Sequence, residues 1–329
     1  MHRFAICFSL VFSLPTFAGT VPPDYDWQWS TIGDPGNRHT NDDEVFLWTG
    51  TRRGSVDYEY RMATTEVTVG QWLEFVEAYT PYYFQNTGNS FARIDFTGSW
   101  IDVQNGQASI DIEASANQPT NMSWEYAARY VNWLHNGKVI EDWAFESGVY
   151  DTSTFTRNPD GTHNHQMAHD PDADFWIPTV DEWTKAAYWD PNKNNGEGGY
   201  WKFQNSSDIE PLLRLERNAT DGFTDGYPLD VGSFPDVQSP WGILDMAGGM
   251  SEWSESADTD NRIRAIFGTF YASDYGNLFT IDQVGWNSSA GPGVLAGMGL
   301  RLVSRVPSPG TVLPVAAAVL LLIPRRRTH

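Results

Sequence analysis

Cysteine is nearly missing from these 329 residues: Cys7 stands alone, in an N-terminal run that reads as a secretory signal. Arg3 supplies the positive start, Phe4 to Leu14 an apolar stretch, and Thr16-Phe17-Ala18 a small-residue cleavage site. Removal of residues 1–18 takes the thiol with it, which excludes disulfides, cysteine zinc sites and cysteine nucleophiles from the mature chain. Basic residues are scarce too, 21 against 42 acids, for a net charge of −21. Such a surface repels phosphate backbones, and no basic patch offsets it, so nucleic acid is excluded as a partner. Long apolar runs are also lacking. Val312 to Ile323 is followed by Arg325, Arg326 and Arg327 in a stop-transfer order with the basic end inside, but the run is far below the roughly 20 residues of a lasting anchor. It serves transient membrane insertion. There is no Gly-rich phosphate loop, no convincing Ser/His/Asp arrangement and no internal repeat of 20–50 residues.

Large aromatics and turn residues fill the chain instead, with 15 Trp, 29 Gly and 19 Pro beside only 19% charged residues. That balance suits a loop-rich fold held by aromatic packing more than a helical bundle. Val56 to Met62 alternates as a strand. Thr68 and Gln71 stand in capping-box spacing ahead of a helix through Trp72, Phe75 and Val76. Ser123 caps a second helix, with Ala127, Tyr130, Val131 and Leu134 on one face. Trp176-Ile177 reads as a strand, and Thr179 with Glu182 opens a third helix. Residues 81–118 and 139–174 read as irregular insertions. Tyr79 to Phe84, with four aromatics in six residues, reads either as a sugar-stacking surface or as a packed core strip.

Five blocks in order carry a resemblance. They are Tyr60-Arg61-Met62 with Glu66-Val67-Thr68; Pro119 to Trp133; Ile177-Pro-Thr-Val-Asp-Glu-Trp183; Trp241-Gly-Ile-Leu-Asp-Met-Ala-Gly-Gly-Met-Ser-Glu-Trp253; and Gly299-Leu300-Arg301. Together they resemble the formylglycine-generating-enzyme, or sulfatase-modifying-factor, type of domain over about residues 56–305. The resemblance implies an α+β fold related to C-type lectins, low in regular secondary structure. Residues 19–55 are then an N-terminal extension. Residues 306–329 resemble a PEP-CTERM sorting signal with a short transmembrane segment, which implies an exosortase-type partner, although Ser308 stands where that signal usually has Glu. The expected address is the cell surface or extracellular space, after transient inner-membrane anchoring.

The resemblance also implies chemistry. Calcium, which takes hard oxygens from carboxylates and turn carbonyls, is expected on the side chains of Asp245 and Glu252 with the carbonyls of Gly248 and Met250. A second calcium site would use the side chains of Asn218 and Asp221 with the carbonyls of Ala219 and Phe223. The same acids could simply cap turns. Gly249 and Ser251 depart from the family pattern of Asn and Trp. The family's oxidase holds copper on two cysteines beyond a G-G-S-aromatic block. Here that block reads Phe267-Gly268-Thr269-Phe270 with no cysteine after it. No copper and no formylglycine-forming activity are therefore expected, and Met246, Met250 and Met298 read as core packing. His163, His165, His169, Asp170 and Asp172 could together hold zinc or iron, although they fall in an insertion that reads as a solvated loop. His135 reads as a helix C-cap. Two functions follow: a calcium-stabilised, non-catalytic surface module binding a glycan, exopolysaccharide or protein, or a metal-dependent oxidoreductase of altered chemistry using the histidine region.

Overall fold

Capping residues decide where the helices begin. In the computed structural model, which describes residues 21–45, 50, 52–209, 228–269, 281, 284–288 and 297–307, Thr68 and Gln71 form a reciprocal capping box that opens α1 (Val69–Thr87). The short α2 (Ile94–Thr97) follows. Ser123 accepts from the Tyr126 amide ahead of α3 (Trp124–His135), and α4 (Asp142–Glu146) comes next. A second capping box, Thr179 with Glu182, opens α5 (Val180–Tyr188). All three N-caps fall where the sequence places them.

One helix is longer than its sequence suggests. α1 runs through Pro81 and ends only at Thr87, where Gly88 closes it with φ 65°. Proline costs an internal hydrogen bond, but Pro81 and Glu77, the residue one turn back whose carbonyl is left over, are both exposed. The extra turns bury Tyr79 and Tyr83 and leave Tyr82 and Phe84 half-buried. The aromatic run is therefore chiefly core. Phe75 stacks on Tyr79 at 5.6 Å and meets Trp72 at 4.7 Å and Tyr130 at 5.6 Å, while Tyr83 stacks on Phe96 at 4.5 Å.

The strands are short: β1 (Trp29–Ile32), β2 (Tyr60–Ala63), β3 (Ile101–Gln104), β4 (Gln107–Ile110), β5 (Phe175–Trp176), β6 (Trp189–Asp190), β7 (Gly199–Tyr200), β8 (Ser251–Ala257), β9 (Arg264–Phe267), β10 (Gly285–Asn287), β11 (Met298–Gly299) and β12 (Val303–Arg305). One antiparallel sheet has the order β1-β2-β12-β5. It sets β12 between β2 and β5, and it draws residues 29–32 of the N-terminal extension into the domain. A second sheet has the order β10-β9-β8-β11, with β11 parallel to β8. Two hairpins, β3-β4 and β6-β7, complete the set. The first turns at Asn105-Gly106, both with positive φ, as a tight hairpin turn demands.

Residues 22–306 form one compact unit. Trp72, Trp124, Trp183 and Trp253 are fully buried within it, each with its indole N–H satisfied: by Phe96 O, Ser254 O, Glu252 Oε2 and Met122 O respectively. A buried tryptophan without such a partner would forfeit part of its burial gain. Among the described residues no helix is long and apolar enough to cross a membrane. The signal segment 1–18 and the apolar run 312–323 lie outside the described residues.

Candidate functional site

The run Trp241–Trp253 turns at Asp245, Gly248 and Gly249, all with positive φ, and enters β8 at Ser251. The turn sets the Glu252 carboxylate and the Asp245 backbone carbonyl against one buried guanidinium. Arg301 Nε donates to Glu252 Oε1 at 2.8 Å, and Arg301 Nη2 lies 2.7 Å from the same oxygen. Nη1 donates to Ala63 O, and Nη2 also donates to Asp245 O, each at 3.1 Å. Trp183 Nε1 donates to Glu252 Oε2 at 2.5 Å. Glu66 is the third carboxylate. Its Oε1 accepts from the Met250 amide at 2.6 Å, and its Oε2 is buried without a partner.

Three carboxylates around one cation leave the cluster short of positive charge. Burial, with the Glu252 carboxylate next, pushes the Glu66 carboxyl well above its ordinary range. Burial also raises Asp245. For Arg301, burial acts downward, but its carboxylate neighbours, Glu252 first, outweigh it and the guanidinium stays charged. A Cβ at Gly249 would collide with the Glu66 carboxylate, so glycine is required there by space as well as by its φ of 56°.

These contacts test the expected calcium ligands one by one. The Asp245 carboxylate fits: it accepts one amide, Gly232 N at 2.5 Å, and lines a small cavity together with Glu66, Asp230 and Phe234. Glu252 does not fit, because both oxygens are bound by Arg301 and Trp183 and a cation there would face the guanidinium. The Gly248 amide donates to Thr269 Oγ1 at 3.1 Å, and Met250 is anchored to Glu66 through its amide. Asn218, Ala219, Asp221 and Phe223, the second expected calcium set, lie outside the described residues.

On the oxidase side, Phe267 stacks face to face on Trp183 at 4.4 Å, Gly268 turns with φ 66°, and Phe270 lies outside the described residues. Met246 and Met250 are buried.

The histidine group divides three ways. His163 and His165 are buried, which corrects the reading of a solvated loop, and their rings sit 4.5 Å apart. Glu125, in the first turn of α3, joins them through His165 Nε2 at 2.9 Å. His169 faces elsewhere: its Nδ1 lies 2.6 Å from Glu255 Oε2, and its ring stacks on Trp176 at 4.7 Å. Burial pushes His169 down, but the hydrogen bond and charge of Glu255 prevail and raise it. Asp170 and Asp172 share an exposed turn in which the Asp172 amide donates to Asp170 Oδ1. His135 is not the cap. It occupies the last turn of α3, where Nδ1 accepts from the Asp174 amide at 3.1 Å, and Asn136 caps the helix. Glu125 escapes sequence reasoning because it stands 40 positions from His165; the His-x-His spacing is the half of the signal that was legible.

The Sulfatase-modifying factor enzyme 1-like domain matches residues 34–306. The chain belongs to this family. No curated protein matches it. Among solved structures, Treponema denticola variable protein 1 is similar at 17% identity and a TM-score of 0.52, over 85% of this chain and 95% of that one. PvdO from Pseudomonas aeruginosa, at 15% identity and a TM-score of 0.48, covers 89% and 100%. CarF, at 16% and 0.49, covers 85% and 98%. At these identities the first likeness shows the fold alone. Within the family's fold, this member has its motif carboxylate Glu252 tied to the motif arginine Arg301.

Proposed function

We propose that this family member is an exported, non-oxidase binding module that acts at the cell surface or in the extracellular matrix and takes a glycan such as an exopolysaccharide. The absence of any thiol after Gly268 removes the soft ligands that the family's Cu(I) chemistry requires. The observation that carries the binding reading is a groove of about 320 Å³, open to solvent, along the outer face of α1. Pro81, Trp133 and Ile140 give it apolar walls, and Glu74, Glu77 and Lys138 give it a polar rim. Apolar walls with a few polar groups suit a sugar ring, whose faces are apolar and whose edge is hydroxylated. Ile140 is 60% exposed, and Glu77 and Pro81 are exposed as well.

Calcium supports the module at Asp245. The unpartnered oxygen of Glu66 supplies the second carboxylate in the place first assigned to Glu252, and the carbonyls of Gly248 and Met250 complete the protein's share. Export removes residues 1–18, and an exosortase-type enzyme processes the tail near residues 307–310.

One preparation tests this. Protein recovered from the surface of a host with an exosortase should have an intact mass that ends near residues 307–310, and it should be retained on native exopolysaccharide. Glu77→Gln and Ile140→Ser, both at exposed positions of the groove's lining, should weaken retention about tenfold, the factor that 1.4 kcal/mol represents. Retention unchanged in both variants would refute the groove, and a full-length tail held in the membrane would refute processing. Turnover of a C-x-P-x-R peptide to the aldehyde would refute the non-oxidase reading.

A further inference from the structure

We infer that Glu125, His163 and His165 form a binding site for a divalent first-row transition ion, with zinc as the fitting case. One ligand atom from each of the three lies within 4.8 Å of the other two, and among the described residues this is the one group of three or more His, Cys, Asp or Glu with that spacing. Two imidazoles and a carboxylate are a donor set that zinc accepts, with a fourth position left for water. They suit calcium poorly, because it takes oxygen ligands.

The surroundings hold the ligands in place before any ion arrives. Asn261 clamps the histidine strand: its side-chain amide donates to His163 O and His165 O, both at 2.9 Å, and its own carbonyl accepts from the His163 amide at 2.9 Å. The His165 ring stacks on Trp124 at 5.6 Å and packs on Phe155 at 4.5 Å. Glu125 is fixed by the first turn of α3 behind the Ser123 cap. A second observation points to a ligand independently of the spacing. His163 is 95% buried by its exposure of 5%, yet its Nδ1 has no hydrogen-bond partner. A buried polar atom left in that state costs free energy unless something binds it.

Distance agrees with the assignment, and the Glu125 carboxylate offsets the nearby positive charge of Arg157 and Arg264. Tetrahedral bonds of about 2.0–2.1 Å place ligand atoms roughly 3.3 Å apart. The 2.9 Å contact between His165 and Glu125 needs to open by only a few tenths of an ångström. The wider separations close by side-chain rotation, chiefly of Glu125, which is 26% exposed. An ion here would tie the 147–173 segment to the start of α3, at a place distinct from the Arg301 cluster.

The test uses the full-length protein stripped with a chelator, then titrated with Zn²⁺ and separately with Co²⁺. One Zn²⁺ per chain should bind and raise the thermal midpoint. Co²⁺ should give the intense visible bands of a four-coordinate site, which Zn²⁺ then bleaches and Ca²⁺ does not. His163→Gln with His165→Gln should abolish the Co²⁺ spectrum, and Glu125→Gln should weaken Zn²⁺ binding at least tenfold, with near-ultraviolet circular dichroism confirming the fold. Absence of a four-coordinate Co²⁺ spectrum in the unmodified protein, or its persistence in the double variant, would overturn the assignment. The first outcome needs no variant, so a folding failure cannot shelter the idea.

Discussion

Arg301 gathers more of the buried polar framework than any neighbour at its site, and Arg301→Met should show what that is worth. The side chain is fully buried and donates to Glu252, Ala63 O and Asp245 O. Methionine replaces most of its volume but none of its donors. Glu252 would then keep Trp183 as its sole described side-chain partner, beside a Glu66 carboxyl that is already short of compensation. Removing one member of a buried ion pair costs about 3–5 kcal/mol, because the remaining charge stays buried and unpaired. In a domain of this size each kcal/mol moves the thermal midpoint by roughly 2–4 °C, so the loss should be on the order of 6–20 °C. Urea unfolding followed by tryptophan fluorescence gives the free energy directly. The double variant Arg301→Met with Glu252→Gln supplies the control. It removes the orphaned charge, so its loss should be smaller than the two single losses added together. It cannot be neutral, because Ala63 O and Asp245 O still lose their donor. A loss below about 1 kcal/mol for Arg301→Met, or strict additivity in the double variant, would refute the reasoning.

Two other outcomes are expected. If calcium is held at Asp245, saturation at about 100 times its dissociation constant adds roughly 2.7 kcal/mol. EGTA should lower the midpoint of calcium-loaded protein, Asp245→Asn should shrink the effect and Glu252→Gln should leave its calcium dependence in place; an EGTA-insensitive midpoint in protein shown to carry calcium would end the proposal. Lys185 is buried on α5 with its ammonium on Asp34 O at 2.8 Å, and burial pushes it down to about 8 from the roughly 10.4 of an unfolded chain. The unfolded state therefore holds more protons between those values, so this group's contribution should rise as pH climbs from about 8 to 10.4. Urea midpoints of the wild type, measured against Lys185→Met over that range, should show the difference, and parallel curves would refute it.

What was legible in the sequence was local. Thr68 with Gln71, Ser123 ahead of Tyr126, and Thr179 with Glu182 each satisfy helix-end amides within three residues, so short spacing alone reveals them. α1 outruns its local signals for the same reason. Pro81 argues locally for a break, while the burial of Tyr79 and Tyr83 against Phe96 and Phe145, which sets the outcome, is spread over 60 positions of chain. Charge partners were further out of reach. Glu252 reads as a metal ligand until Arg301 appears 49 positions later, and Glu66 gives no sign that it will sit against Gly249. His163 and His165 show the same division from the other side. Their alternate spacing is visible, but their burial depends on Trp124, Asn261 and Glu125, which arrive from α3 and from the link between β8 and β9. A motif carboxylate or imidazole therefore says what it can bind. Whether it binds an ion or an arginine is settled by which distant segment the fold sets against it, and at Glu252 that segment is the link between β11 and β12 carrying Arg301.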